Sequence, residues 1–122
     1  MALILIVEDQ EEMRDLYRLM LEHLGHEVMV AEHGLDGLYG LKRHPDLVIL
    51  DLQMPVASGD VVLGFIRSTP GITRTRVLVI SAHPEALTLS RQLEADGCLM
   101  KPVGMDEVTE AVNRLLAEAT AG

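Results

Sequence analysis

At 122 residues, 48% of them apolar, the chain has the size and composition of one globular domain, able to bury a core without a disulfide or structural metal. Nineteen acidic against ten basic side chains give a formal charge of −9, which argues against a nucleic-acid backbone as direct partner, since that needs clustered Lys and Arg. A lone Cys98 excludes an internal disulfide, and the apolar run from Ala2 to Val7 is too short for a secretion signal or a membrane span, so the expected setting is the cytoplasm.

Leu3-Ile4-Leu5-Ile6-Val7 is apolar without alternation, the pattern of a strand covered on both faces, and it runs into Glu8 and Asp9. Met13, Leu16, Tyr17, Met20 and Leu24 then recur at helical spacing, with Gly25 as a stop. Glu27 to Ala31 reads as a short strand. Leu35, Leu38, Tyr39 and Leu41 suggest a short helix that ends before Pro45. Leu47 to Leu50 is a second unbroken apolar run, and it ends in Asp51.

A loop is expected from Leu52 to Ala57. Ser58 is placed to cap a helix with Val61, Val62, Phe65 and Ile66 inward, broken at Pro70-Gly71. Val77 to Ile80 is another buried strand and ends in Ser81. Pro84 suits the first turn of a helix through Ala95, with Ala86, Leu89 and Leu93 inward. Gly97 to Met100 reads as the fifth strand and ends in Lys101-Pro102. A last helix runs from about Met105 to Ala119, with Val108, Ala111, Val112 and Leu115 on one face.

Strict alternation of strands and helices implies an α/β fold with a parallel sheet between two helical layers. The expected form is a doubly wound, flavodoxin-like (βα)5 with strand order 2-1-3-4-5. In that order the first and third strands are neighbours, so Glu8 and Asp9 lie beside Asp51. Ser81 and Lys101 reach the same edge. Taken singly, each has a plainer reading: Asp51 or Ser81 as a turn residue, Lys101 as a surface cation. Four strand ends carrying such residues at one edge favour a site.

Three carboxylates at close range repel, by about 4 kcal/mol for two unit charges 4 Å apart at an effective dielectric of 20. One of them is protonated, or a cation offsets them. Lys101, one of only two lysines with Lys42, supplies one charge. Mg²⁺ suits the remainder, since it takes one or two carboxylates and keeps waters and phosphate oxygens. A carboxylate beside Mg²⁺, an ammonium and a hydroxyl is equipped to accept a phosphoryl group.

With Val7-Glu8-Asp9, Asp51-Leu52-Gln53-Met54-Pro55 with Gly59, Ser81-Ala82 and Lys101-Pro102 in this order, the sequence resembles the receiver domain of two-component response regulators from Ile4 to about Leu116. The resemblance implies a single receiver domain over 1–122, with its core at about 2–119 and no output domain. It implies that Asp51 accepts a phosphoryl group from a histidine kinase or a histidine phosphotransfer protein. It further implies that Asp9, Asp51 and the Gln53 carbonyl bind Mg²⁺, with Glu8 acting through water. Lys101 and Ser81 would contact the phosphoryl group, and the bond before Pro102 would be cis. Phosphorylation would then bias a two-state equilibrium and change contacts with a downstream protein or with an output domain missing from this sequence.

The sequence departs from the family at three places. Cys98 stands where an aromatic residue is usual, Glu94 where Gly is usual, and Val103 where an aromatic often follows Lys-Pro. Gln53 and His83, each two residues beyond a site residue, are expected to influence phosphoryl lifetime. Two other readings differ in class. A haloacid-dehalogenase-type phosphohydrolase would need a second Asp at the position of Gln53. A phosphorylation-independent interaction module of the same fold is motivated by Cys98.

Overall fold

The computed structural model describes residues 1–53 and 58–121. Strands β1 (Leu3–Val7), β2 (Glu27–Ala31), β3 (Leu47–Leu50), β4 (Arg76–Ser81) and β5 (Gly97–Met100) pair in parallel in the order β2-β1-β3-β4-β5. Helices α1 (Glu11–His23), α2 (Gly34–Gly40), α3 (Gly59–Ser68) and α4 (Ala86–Gln92) fill the four connections, α5 (Met105–Ala121) follows β5, and a 3-10 turn over Leu41–Arg43 extends α2. Among the described residues no helix is long and apolar enough to cross a membrane. The expected loop through Ala57, including Met54 and Pro55, lies largely outside the described residues.

The unbroken apolar runs serve two cores at once, because successive strand side chains point to opposite faces. Leu5, Val7, Val48, Leu50, Val77 and Val79 face a layer with Leu41, Val62, Leu63, Ile66 and Ala86. Ile4, Ile6, Leu47, Ile49, Leu78 and Ile80 face Tyr17, Leu21, Val108, Ala111, Val112 and Leu115. Each fully buried Ile or Leu stabilises the fold by about 1.5–3 kcal/mol relative to an exposed one. The register sets the site: Val7 pairs with Leu50, and Leu50 with Val79, so β1 and β3 end on the same rung.

The expected inward face holds for α5, while on α3 only Val62 and Ile66 of the four expected residues are buried, and on α1 and α2 part of the apolar spacing faces solvent. Leu16, Leu24, Leu35, Tyr39, Val61 and Phe65 are exposed. In α1 the buried residues are Arg14, Tyr17 and Leu21. In α3 they are Gly59, Val62, Leu63 and Ile66. In α2 they are Gly34 and Gly37, because that helix lies tight on β1: a Cβ at Gly37 would meet the Val7 side chain at 3.1 Å.

Helix α4 is also shorter than predicted. A turn precedes it, in which the His83 carbonyl accepts from the Ala86 amide at 3.0 Å and His83 Nδ1 accepts from the Glu85 amide at 3.0 Å. Glu94 ends it in the left-handed conformation (φ 61°), and the Ala95 amide donates to the Ser90 carbonyl at 2.8 Å. This is the geometry that favours Gly after a helix.

Candidate functional site

The site lies at the carboxyl ends of β1, β3, β4 and β5, where open α/β sheets place their ligands. Two backbone bonds fix its floor. The Asp51 amide donates to the Val7 carbonyl at 3.0 Å, and the Lys101 amide donates to the Ser81 carbonyl at 3.0 Å. The Lys101–Pro102 bond is cis. Gly59 lets α3 start against the site: a Cβ there would overlap the Asp51 carbonyl oxygen and come within 2.6 Å of Leu52 Cα. Ser58 holds the N-cap position of α3, but its hydroxyl bonds the Asp60 carboxylate instead of capping an amide.

Glu8 and Asp51 are buried, at 2% and 6% exposure, while Asp9 is exposed. Oxygens of Glu8, Asp9 and Asp51 all lie within 4.8 Å of one another. Lys101 Nζ donates to Glu8 Oε1 at 2.7 Å and to Asp51 Oδ2 at 3.3 Å. The other oxygen of each carboxylate takes a backbone amide: Asp51 Oδ1 from Gln53 at 3.0 Å, and Glu8 Oε2 from Gln10 at 3.3 Å.

Electrostatics follow from this packing. Burial pushes the Glu8 carboxyl up to about 7, with the nearby Asp51 charge adding to it and the Lys101 ammonium pulling the other way. For Lys101, burial works against the charged form, but the Glu8 and Asp51 carboxylates outweigh it and hold the ammonium above the ordinary lysine range. Glu8 and Asp51 therefore share one amino cation, and the third carboxylate of the cluster, Asp9, is open to solvent. Hard oxygen donors at this spacing, with excess negative charge, fit Mg²⁺.

Of the residues expected at the site, Glu8, Asp9, Asp51 and Lys101 come together. Gln53 sits at the rim and touches Asp51 through its amide. Ser81 is fully buried at the same edge, with its hydroxyl accepting from the His83 amide at 3.1 Å.

Sequence reading missed Arg14, which is largely buried and donates from Nη1 to the carbonyls of Glu8 at 3.1 Å and Asp9 at 3.5 Å. Its spacing to Tyr17 and Leu21 (i, i+3, i+7) was the available signal, because it puts Arg14 on the stripe that packs inward. Tyr17 is missed in a second respect. Its hydroxyl is buried without a hydrogen-bond partner among the described residues, and burial pushes it up to about 12.

A family profile described as the response regulator receiver domain matches residues 4–113. The chain belongs to the response regulator receiver family.

Among curated relatives, this receiver is 34% identical to the transcriptional regulatory protein KdpE of Mycobacterium tuberculosis over 124 residues, 99% of this chain and 54% of that one. It is 28% identical to the polar-differentiation response regulator DivK of Brucella ovis, across 95% of this chain and 97% of DivK. The receiver thus spans about half the length of KdpE and nearly all of DivK. Among solved structures, the signal receiver domain of a Luxo repressor protein from Vibrio parahaemolyticus superposes with a TM-score of 0.89 at 31% identity, covering 98% of this chain and 93% of that one.

Proposed function

We propose that this receiver accepts a phosphoryl group on Asp51 from a histidine kinase or a histidine phosphotransfer protein, in a Mg²⁺-dependent reaction, and thereby switches its contacts with a downstream protein. The observation that carries the proposal is the convergence of the Glu8, Asp9 and Asp51 carboxylates, within 4.8 Å of one another, with the Lys101 ammonium bonded to Glu8 and Asp51.

In the transfer, an Asp51 carboxylate oxygen bonds to phosphorus as the bond from phosphorus to the donor histidine nitrogen breaks. Lys101, already 3.3 Å from Asp51 Oδ2, balances charge on the incoming phosphoryl oxygens. Asp9, Asp51 and the Gln53 carbonyl would hold Mg²⁺, with Glu8 reaching it through water. The ion supplies positive charge against those same oxygens. Ser81 keeps its hydroxyl proton free to donate, since its oxygen is the acceptor of the His83 amide. Turning Ser81 toward the phosphoryl group would break that bond and move the loop that begins α4.

Cys98, at the usual aromatic position, is half-buried against the core on the α3 and α4 side. Output is therefore assigned to the Ser81–His83 loop and the α4 face, without an aromatic rotor. The chain acts as a phosphoacceptor switch in this reading, with no small-molecule turnover.

The test is transfer of ³²P from an autophosphorylated histidine kinase. The label should be sensitive to hydroxylamine, as an acyl phosphate is, and should be lost in Asp51→Asn. A hydroxylamine-stable label, or label retained in that variant, would assign the acceptor elsewhere.

A further inference from the structure

Arg14 is a cation buried with little to pair it. Its side chain is 11% exposed, and among the described residues the one carboxylate in ion-pair range, Glu32 Oε1, lies 3.8 Å from Nη2 on a side chain that is 71% exposed. A contact that long and that solvated contributes little. The closer partners are the carbonyl oxygens of Glu8, at 3.1 Å, and Asp9, at 3.5 Å, the two residues whose carboxylates join Asp51 in the acidic cluster.

The same turn is held at three further points. The Glu8 amide donates to the Ala31 carbonyl at 3.1 Å, the Gln10 amide to Glu8 Oε2 at 3.3 Å, and the Arg14 amide to the Gln10 carbonyl at 2.9 Å. The guanidinium completes this set by bridging two successive carbonyls just past the end of β1.

We infer that Arg14 is a positioning residue for cation binding: its Nη1 group, shared between the Glu8 and Asp9 carbonyls, fixes the Glu8–Asp9 turn, and so sets where those two carboxylates point. The inference rests on the Mg²⁺ reading above and adds to it a residue that touches neither metal nor phosphoryl group. Outer partners that orient metal ligands typically matter by about 10–100-fold in metal affinity.

The sign of the effect separates this role from a plain charge effect. A positive guanidinium near a cation site repels the cation, so removing its charge alone should tighten Mg²⁺ binding. Loss of positioning should weaken it. Lysine separates the two further, because it keeps the charge but its shorter stem ends short of Nη1, the one nitrogen that reaches both carbonyls.

The experiment is calorimetric titration of the whole chain with MgCl₂, for the wild type, Arg14→Lys, Arg14→Met and Glu32→Gln. Thermal melts in EDTA establish that each variant folds. Both Arg14 variants should bind Mg²⁺ at least about tenfold more weakly, and Glu32→Gln should bind as the wild type does. If Arg14→Met does not fold, Arg14→Lys alone decides. Unchanged or tighter binding in a folded Arg14 variant overturns the inference and leaves the Mg²⁺ reading standing. Absence of Mg²⁺ binding in the wild type overturns both.

Discussion

The Lys101 ammonium stands 2.7 Å from Glu8 Oε1 and 3.3 Å from Asp51 Oδ2, so one cation ties together two buried carboxylates from different strands. Breaking a buried pair by deleting one partner costs about 3–5 kcal/mol, because the remaining charge is left uncompensated. Lys101→Met is expected to lose a similar amount in EDTA at pH 8. Saturating Mg²⁺ should restore much of it, since the ion takes over the neutralisation. Denaturant melts with and without Mg²⁺ check this. A loss that Mg²⁺ does not reduce would mean that Lys101 contributes through packing.

The pH dependence has a defined sign. Glu8 titrates at about 7 in the fold against an ordinary 4.5, so the folded state binds a proton more tightly than the unfolded one. Its contribution to stability is full below pH 4.5 and is lost as pH rises through about 7. Without Mg²⁺, the wild type should therefore become less stable between pH 5 and pH 8, and Glu8→Gln should largely remove that slope. Mg²⁺ affinity should rise over the same interval, because an ionised Glu8 adds negative charge beside the ion. Melts at a series of pH values in EDTA test the first statement. Parallel curves for the two proteins would contradict it.

Glu94 occupies a left-handed position, φ 61°, that glycine adopts without a Cβ penalty. Relief of that strain, about 1–2 kcal/mol, exceeds the entropy that glycine adds to the unfolded chain, about 0.5–1 kcal/mol. Glu94→Gly is therefore expected to stabilise the domain by up to about 1 kcal/mol. The carbonyl that accepts from Arg67 Nε at 2.9 Å stays in place. Chemical denaturation reads the change, and a destabilised variant would show that the side chain matters more than the backbone.

At Gly59 the neighbour is backbone, the Asp51 carbonyl and Leu52 Cα, which cannot swing aside as a flexible side chain can. Gly59→Ala should therefore cost on the order of 1–3 kcal/mol, and should also shift Asp51. Equilibrium unfolding and the backbone amide NMR shifts of Asp51 and Gln53 follow the two effects. A wild-type spectrum would contradict the packing described here.

The strands were legible because burial on both faces leaves an unambiguous mark: Leu3–Val7, Leu47–Leu50 and Val77–Ile80 carry no polar residue at all. Their polar termini then located the site, since parallel order brings all the carboxyl ends to one edge. The helix faces were harder. In α1, α2 and α3 apolar residues lie on both sides of the buried stripe, so spacing alone does not centre it. Leu35 and Tyr39 outbid Gly34 and Gly37 in hydrophobicity, yet the glycines are buried because α2 packs close to Val7. Arg14 was passed over because its role depends on two carbonyl groups, which a sequence does not display. Ser81 was placed at the right edge, while its bond to the His83 amide depends on the path of the following loop.

The most direct test of the central claim is intact mass after incubation with acetyl phosphate, with MgCl₂ or with EDTA, for the wild type and Asp51→Asn. The account predicts a gain of one phosphoryl group in the wild type with Mg²⁺ only, and none in the variant. An adduct on Asp51→Asn, or one that forms equally in EDTA, would contradict it.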